Sequence, residues 1–400
     1  MLRGILSTIP MFVCAFWFAA LLTDFRGRNR SKKMLSLFMF SAFLLYLGHA
    51  IYFHREYEIY RHVDSVYAFC SLSVYPLYYL YIKSLTCRVM TLKDFWVLLP
   101  SFFVALFSFL LYQVMSDEES SAFVRKVLFG EAVDYNFSSW GKLQLFRTKM
   151  FVVVLLIQVA CVLKSGIRRI RIYHEQLSGF YSNMEKKELS KINIMLYFFV
   201  GISTMSVLFS IIGRIPFLKS DWLLLIPSLL FSSLLFAGGM IGFRQDFSVD
   251  DFAKDQDRDQ KLETVAEGTA IFNESDIRLK TLEENLIALM EDQQLFKQPD
   301  LKITDLSVRL GSNRSYVSRI INIQLNTTFS DFVGKYRIEH AKKMLLNFQR
   351  SVTMNEIAEQ SGFPSESTFY RVFKQEMKIS PKAWRQQQMT KCNGGNADEA

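Results

Sequence analysis

The feature that most limits this chain is a series of apolar runs in its first 243 residues, each close to the length of a membrane-spanning helix. The ~30 Å hydrocarbon core of a bilayer takes roughly twenty residues of α-helix to cross, and each backbone amide inside it must find its partner within its own helix. Six runs reach or nearly reach that length: Gly4–Thr23, Met34–Phe53, Ser65–Ile82, Phe95–Met115, Ile192–Gly213 and Trp222–Phe243. A seventh, "MFVVVLLIQVACVL" from Met150, is short, and by length alone it also fits a buried helix of a water-soluble domain.

Charge asymmetry decides the seventh run. The long loop before it carries Asp117, Glu118, Glu119, Glu131 and Asp134, and the segment after it carries Lys164, Arg168, Arg169, Arg171, Lys186, Lys187 and Lys191. Basic residues stay on the cytoplasmic side, so the run is expected to cross. Lys149 and Lys164 at its ends can extend their stems along the helix and hold their charges at the interfaces. The pattern therefore predicts a seven-helix transmembrane bundle over residues 1–243, with the N-terminus outside and everything after Arg244 in the cytoplasm. The first run is not expected to be a cleaved signal peptide, because its basic cluster, "DFRGRNRSKK", follows the apolar core instead of preceding it.

An ionisable group inside a span is costly and often functional. His49 is such a group, near the outer end of its run and close in sequence to His54, His62 and Asp64. These four form a candidate outward-facing pocket that detects a ligand or a proton. The competing reading is an interfacial rim of polar side chains touching headgroups and water.

The formal net charge of +9 averages over unlike parts. Residues 244–276 are acidic, with "RQDFSVDDFAKDQDRDQKLE" the densest stretch, and they hold too few apolar residues to offset chain entropy by burial. They read as a linker. From Ile277 the pattern changes: Leu279, Leu282, Leu286 and Leu289 alternate at three and four residues, the mark of an amphipathic helix. Such a face packs on its own domain or forms a homodimer seam.

Two similar patterns follow within residues 277–390, and a polar tail fills 391–400. In "LKITDLSVRLGSNRSYVSRIINIQL", Gly311 gives a tight turn and Asn313 caps a second helix. About fifty residues later, in "MNEIAEQSGFPSESTFYRVFKQEMK", Gly362 takes the turn and Ser365 the cap. Between them, "TTFSDFVGKYRIEHAKKMLL" reads as one long helix with Phe329, Phe332, Tyr336, Ile338, Ala341 and Leu345 on its buried side. A twenty-residue helix is ~30 Å long, close to the roughly 34 Å between successive major-groove faces on one side of a duplex.

The stretch "IAEQSGFPSESTFYRVFKQEMKISPKAWR" keeps the order Ile-Ala, Gly-Phe, Phe-x-Arg-x-Phe-Lys and Ser-Pro, and in this it resembles the AraC/XylS transcription regulators. The resemblance covers about Ile277 to Gln388. It implies an all-α domain of two helix-turn-helix units joined by a long helix, with each second helix entering a major groove of double-stranded DNA. Its exposed faces fall on Arg314, Ser315, Ser318 and Arg319 in the first unit and on Glu366, Ser367, Thr368 and Arg371 in the second, with Tyr316 and Lys374 as additions. These residue types suit base recognition, since arginine donates two hydrogen bonds to a guanine edge, Ser and Thr donate or accept, and Glu accepts from cytosine. Lys and Arg also exceed Asp and Glu between Leu301 and Thr390, as phosphate neutralisation requires. The soluble effector-binding domain usual in that family is absent, and the apolar bundle stands in its place.

The expectation is a multi-pass regulator of a bacterial inner membrane. Its partners are double-stranded DNA, the lipid bilayer, an unidentified signal ligand and, at the leucine-spaced helix, a second copy of itself. Neither catalysis, a cofactor nor a metal is expected: the five cysteines show no CxxC pair and no matching histidine spacing. The alternative is an integral-membrane transporter or enzyme carrying a regulatory helix-turn-helix domain, which calls for paired charges buried within the spans. In the sequence only His49 stands out in this way.

Overall fold

The computed structural model describes residues 2–23, 30–183, 189–244, 276–347 and 352–395. Among them the regular structure is helical, apart from one isolated antiparallel bridge between Tyr181 and Lys302. The chain divides into two compact units, one of residues 1–170 with 191–250, the other of 171–190 with 251–400. Most of the expected linker, 245–275, lies outside the described residues.

The first unit is built from α1 (Leu2–Thr23), α2 (Arg30–Phe53), α3 (Tyr57–Thr86), α4 (Leu99–Val114), α5 (Asp117–Phe123), the first part of α6 (Ser139–Ser178), α7 (Leu189–Ile212), α8 (Ile215–Lys219) and α9 (Asp221–Phe243). Among the described residues, five helical stretches are long and apolar enough to cross a membrane: α1, α2, Leu92–Val114, α6 and α9. The other two expected runs also fall on helices, with different physics. Ser65–Ile82 lies inside α3, whose tyrosines, serines and charged residues lower its hydropathy. Eighteen of its 30 residues are buried, so protein neighbours surround much of this helix. Ile192–Gly213 coincides with α7, of which Val200–Ile212 is strongly apolar.

Polar side chains tie these helices together where apolar contact alone gives little preference for one rotation over another. The Ser65 hydroxyl donates to Ser108 Oγ at 3.1 Å, and Gln144 Nε2 donates to the same oxygen at 3.0 Å, linking α3, α4 and α6. At the end where α1 and α9 begin, Arg3 Nη2 is 2.6 Å from Asp221 Oδ1. The segment after α4 folds over this end. Tyr52 donates to the Leu128 carbonyl at 2.8 Å and stacks on Phe129 with centroids 4.3 Å apart, within a cluster that includes Tyr60, Phe123 and Phe217.

The second unit holds α10 (Asp276–Glu291), α11 (Ile303–Arg309), α12 (Arg314–Arg319, continued by a wider turn through Gln324), α13 (Phe329–Leu345), α14 (Met354–Gln360), α15 (Glu366–Met377) and α16 (Pro381–Gly395). Leu286, Leu289 and Met290 of α10 are buried within the unit, the packing role expected of that face. The core around α13 to α16 contains Ile338, Leu345, Ile357, Phe363, Phe369, Phe373 and Trp384. Arg171–Asn183 belongs to this unit although two further long helices of the first unit separate it in sequence from α10.

Candidate DNA-binding surface

Each helix-turn-helix is fixed by the residues that the sequence marks for it. Gly311 has φ +59° and Gly362 has φ +81°, the left-handed region that strains any residue with a Cβ. Asn313 Oδ1 accepts from the Tyr316 amide at 3.1 Å, and Ser365 Oγ accepts from the Thr368 amide at 3.1 Å. These caps satisfy amides that the first helical turn leaves without a partner. The second unit has an extra start signal in Thr353 and Glu356, which form a capping box: the Thr353 amide donates to Glu356 Oε2 at 2.8 Å and the Glu356 amide to Thr353 Oγ1 at 3.2 Å. These bonds favour ionised Glu356 and hold its pKa below the ordinary value.

The apolar sides of the reading helices point inward: Val317 and Ile320 in the first, Phe369 and Phe373 in the second. Their other faces are exposed in matching positions. Ser315, Arg319 and Asn322 follow one another at four and three residues in the first unit; Ser367, Arg371 and Lys374 do the same in the second. Asn322 is not among the expected site residues, because it lies in the widened turn past α12. Its spacing from Arg319, the same as that of Lys374 from Arg371, is the signal that finds it. Asn322 Nδ2 donates to Ser318 Oγ at 3.0 Å, which places Ser318 on the same side.

The remaining expected residues divide. Glu366 and Tyr316 are half-buried beside their exposed neighbours. Thr368 does not join the reading face: it is buried, with its hydroxyl 3.0 Å from Ser365 Oγ, so it completes the cap. Arg314 is half-buried, and its guanidinium lies 5.5 Å from the centre of the Phe180 ring. The joining helix α13 has 17 residues, ~25 Å of rise, somewhat shorter than the expected stretch.

Two features of this unit are not legible in the sequence. Arg337, on the buried side of α13, is only 2% exposed and donates to the carbonyls of Phe296 and Gln298, each at 2.7 Å. Burial lowers its pKa to about 10, which leaves it charged at neutral pH. The second is the stretch after α6. The Ser182 amide donates to the Leu301 carbonyl at 3.1 Å and the Ile303 amide to the Phe180 carbonyl at 3.2 Å. Ser182 Oγ also donates to the Leu301 carbonyl at 2.6 Å, and Arg337 Nη2 donates to Ser182 Oγ at 3.3 Å. Residues 180–183 thus strap the start of the first helix-turn-helix, and the buried Phe180 ring lies beside the Arg314 guanidinium.

In the first unit, the four expected sensing residues also divide. His49 and Asp64 line a common cavity. His54 and His62 are exposed and line no part of it, with His62 Nε2 3.5 Å from Arg61 Nη2. Asp64 is paired with Arg147 at 2.6 Å, both almost fully buried. The sequence pattern singles out His49 alone, and this buried pair corrects it: the two partners are 83 residues apart and meet only through packing of α3 on α6.

Two capped helix-turn-helix units on a shared connecting helix make the arrangement of an AraC-type domain. Known proteins agree: the helix-turn-helix domain family matches residues 306–387, and the C-terminal part of the chain is an AraC-type domain of that family. An HTH-type transcriptional regulator of Staphylococcus aureus strain MSSA476 is 35% identical over 92 residues, 23% of this chain and 12% of that protein. The HTH-type regulator YtdP of Bacillus subtilis strain 168 is 27% identical over 113 residues, 28% of this chain and 14% of that protein. This chain therefore spans only a small part of the length of the curated relatives it matches. Among solved structures, the C-terminal domain of AraT, a response regulator from Geobacillus stearothermophilus, is 28% identical over 28% of this chain and 86% of that chain, with a TM-score of 0.24. The C-terminal domain of the response regulator yesN from Fusobacterium nucleatum is 29% identical over 26% of this chain and 96% of that chain, with a TM-score of 0.23.

Proposed function

We propose that the chain is a membrane-anchored, sequence-specific DNA-binding transcription regulator. The observation that carries this reading is the repeated exposed face, Ser315–Arg319–Asn322 and Ser367–Arg371–Lys374, on two capped helices of one unit. Ser318 lies on the same face, and Arg314, Tyr316 and Glu366 flank it. Arg319 and Arg371 read guanine edges, and the neighbouring Ser, Asn and Lys side chains contact other edges or phosphates.

The bundle of residues 1–243 crosses the bilayer seven times with its N-terminus outside, and α3 and α7 complete the five strongly apolar stretches. The domain of residues 277–390 then lies in the cytoplasm, after the acidic segment 244–276. Coupling runs through α6. This helix begins in the first unit and ends in the second, and the strap that follows it bonds Leu301, Ile303 and Arg337 and covers Arg314. A signal that favours one state of the bundle changes DNA affinity only if the two states hold this strap differently.

The test is selection of duplexes from a random pool by the full chain in lipid nanodiscs, followed by binding against salt. A recovered motif of two half-sites, with affinity falling steeply as salt rises, is expected. No enrichment over random competitor at moderate ionic strength overturns the reading. The buried Asp64–Arg147 pair favours the alternative, a transporter with a regulatory helix-turn-helix domain, because such pairs often mark transport paths. Solute flux into liposomes bearing the chain, abolished by Asp64→Asn, supports that alternative instead.

A further inference from the structure

The cavity in the first unit has a volume of about 260 Å³. Ligand sites of small molecules run from ~300 Å³ upward, so it suits a compact ligand. Six long helices line it, each from the same end: the starts of α1, α3, α6 and α9 and the ends of α2 and α7. On the proposed topology that end faces outward, and the inference rests on that reading.

The charges around the cavity do not cancel. Asp64 Oδ2 accepts from Arg147 at 2.6 Å and from the Tyr112 hydroxyl at 3.2 Å, so the one carboxylate lining the cavity is already engaged. Arg214, which also lines it, has no carboxylate partner among the described residues. Its guanidinium sits 4.2 Å from the Tyr52 ring centre and 4.6 Å from that of Tyr67, and Nη1 donates to the Tyr60 hydroxyl at 2.6 Å. These aromatic rings orient the guanidinium and attract its charge without neutralising it. Its fork also holds more N–H donors than that single bond uses. Arg147, 95% buried, also has its Nε without a hydrogen-bond partner among the described residues. Much of the remaining wall is apolar or aromatic, with Phe53, Phe151, Phe209, Phe217 and Phe231, interrupted by His49, Thr148 and several serines.

We infer that this cavity binds a small amphipathic anion, a carboxylate or phosphate ester on an apolar body, with the anionic group on Arg214 and the body against the phenylalanines. A planar guanidinium grips such an anion through two parallel N–H bonds, and the largely apolar surroundings strengthen them. Exclusion of neutral and cationic amphiphiles follows from the same surplus charge. The anion arrives either as a free solute from outside or as the headgroup of an anionic lipid.

The experiment uses tritiated octanoate and the full chain in phosphatidylcholine nanodiscs, with empty discs as the blank. Saturable binding is expected, displaced by unlabelled octanoate and at least ten-fold less well by octanol or octyltrimethylammonium. Arg214→Gln is expected to lower affinity at least ten-fold and Arg214→Lys to keep most of it. Ser210→Phe, which fills the cavity while keeping the arginine, is expected to block it. If phosphatidylglycerol in the discs abolishes octanoate binding, the occupant is a lipid headgroup; if it does not, the occupant is a free amphiphile. Equal binding of octanol or octyltrimethylammonium, or unchanged binding in both Arg214→Gln and Ser210→Phe, overturns the inference. Duplex binding is measured on the same sample. A preparation that binds DNA but not octanoate sinks this inference alone, and one that binds octanoate but no DNA sinks the proposed function alone.

Discussion

Replacing Gly362 with alanine tests how the second helix-turn-helix is held, and Gly311→Ala supplies the control. Both glycines have left-handed backbone, φ +81° and +59°, so each substitution carries a conformational cost of ~1–2 kcal/mol. At Gly311 nothing lies within 4 Å of the new Cβ, and the cost stops there. At Gly362 the Cβ would stand 2.4 Å from the Phe296 carbonyl oxygen and 2.7 Å from Lys297 Cα, both main-chain atoms that cannot rotate away. That same oxygen accepts the Arg337 Nε bond at 2.7 Å, so moving it aside also weakens a buried charge-assisted hydrogen bond, worth ~1.5–3 kcal/mol. The sum for Gly362→Ala is about 3–5 kcal/mol, a large share of the ~5–15 kcal/mol that holds a domain folded. The assay is thermal and urea unfolding of a fragment of residues 276–395 followed by helical circular dichroism. For a domain of this size each kcal/mol is about 4–8 °C in Tm, so the two variants are expected to differ by at least ~6 °C. Equal losses, or a larger loss at Gly311, refute the argument that backbone contact at 296–297 sets the position of this turn.

Arg371→Ala is expected to weaken binding of the preferred duplex by about 1–3 kcal/mol and to relax preference at one base pair; an unchanged specificity profile removes Arg371 from the reading face. Breaking the buried pair with Asp64→Asn leaves Arg147 uncompensated and is expected to lower stability by about 3–5 kcal/mol in thermal unfolding of the reconstituted chain, with Asp64→Asn/Arg147→Gln recovering part of it. His340, 3.1 Å from Ser361 Oγ, has its pKa lowered by burial and by the nearby Lys297 and Lys343. The unfolded chain therefore takes up a proton first as pH falls below ~6.5, and stability of the 276–395 fragment is expected to drop there; His340→Gln should flatten the slope of urea midpoint against pH.

The sequence by itself determined what depends on short separations. Asn313 and Ser365 cap their helices because a side chain and the amide three residues on are neighbours in any helix start, and Gly311 and Gly362 turn because φ is a property of one residue. Apolar runs placed the helices of the first compact unit but not the 40-residue length of α6, and the phase of Val317, Ile320, Phe369 and Phe373 placed the inward sides of α12 and α15. The shape of a cap was less legible: Thr368 is near enough in sequence to the exposed Ser367 to read as its neighbour, yet its Cβ points back toward Ser365 and into the core.

What only the tertiary structure decided is which distant groups meet. Asp64 found Arg147 across 83 residues, Arg214 settled among the rings of Tyr52, Tyr60 and Tyr67, and Ser182 bonded Leu301 across 119. A hydrophobic run specifies that a helix forms and leaves its rotation about its own axis almost free. That rotation is fixed only when neighbouring helices interlock, and it alone determines which charged side chains share a cavity and which strand of backbone reaches a reading helix.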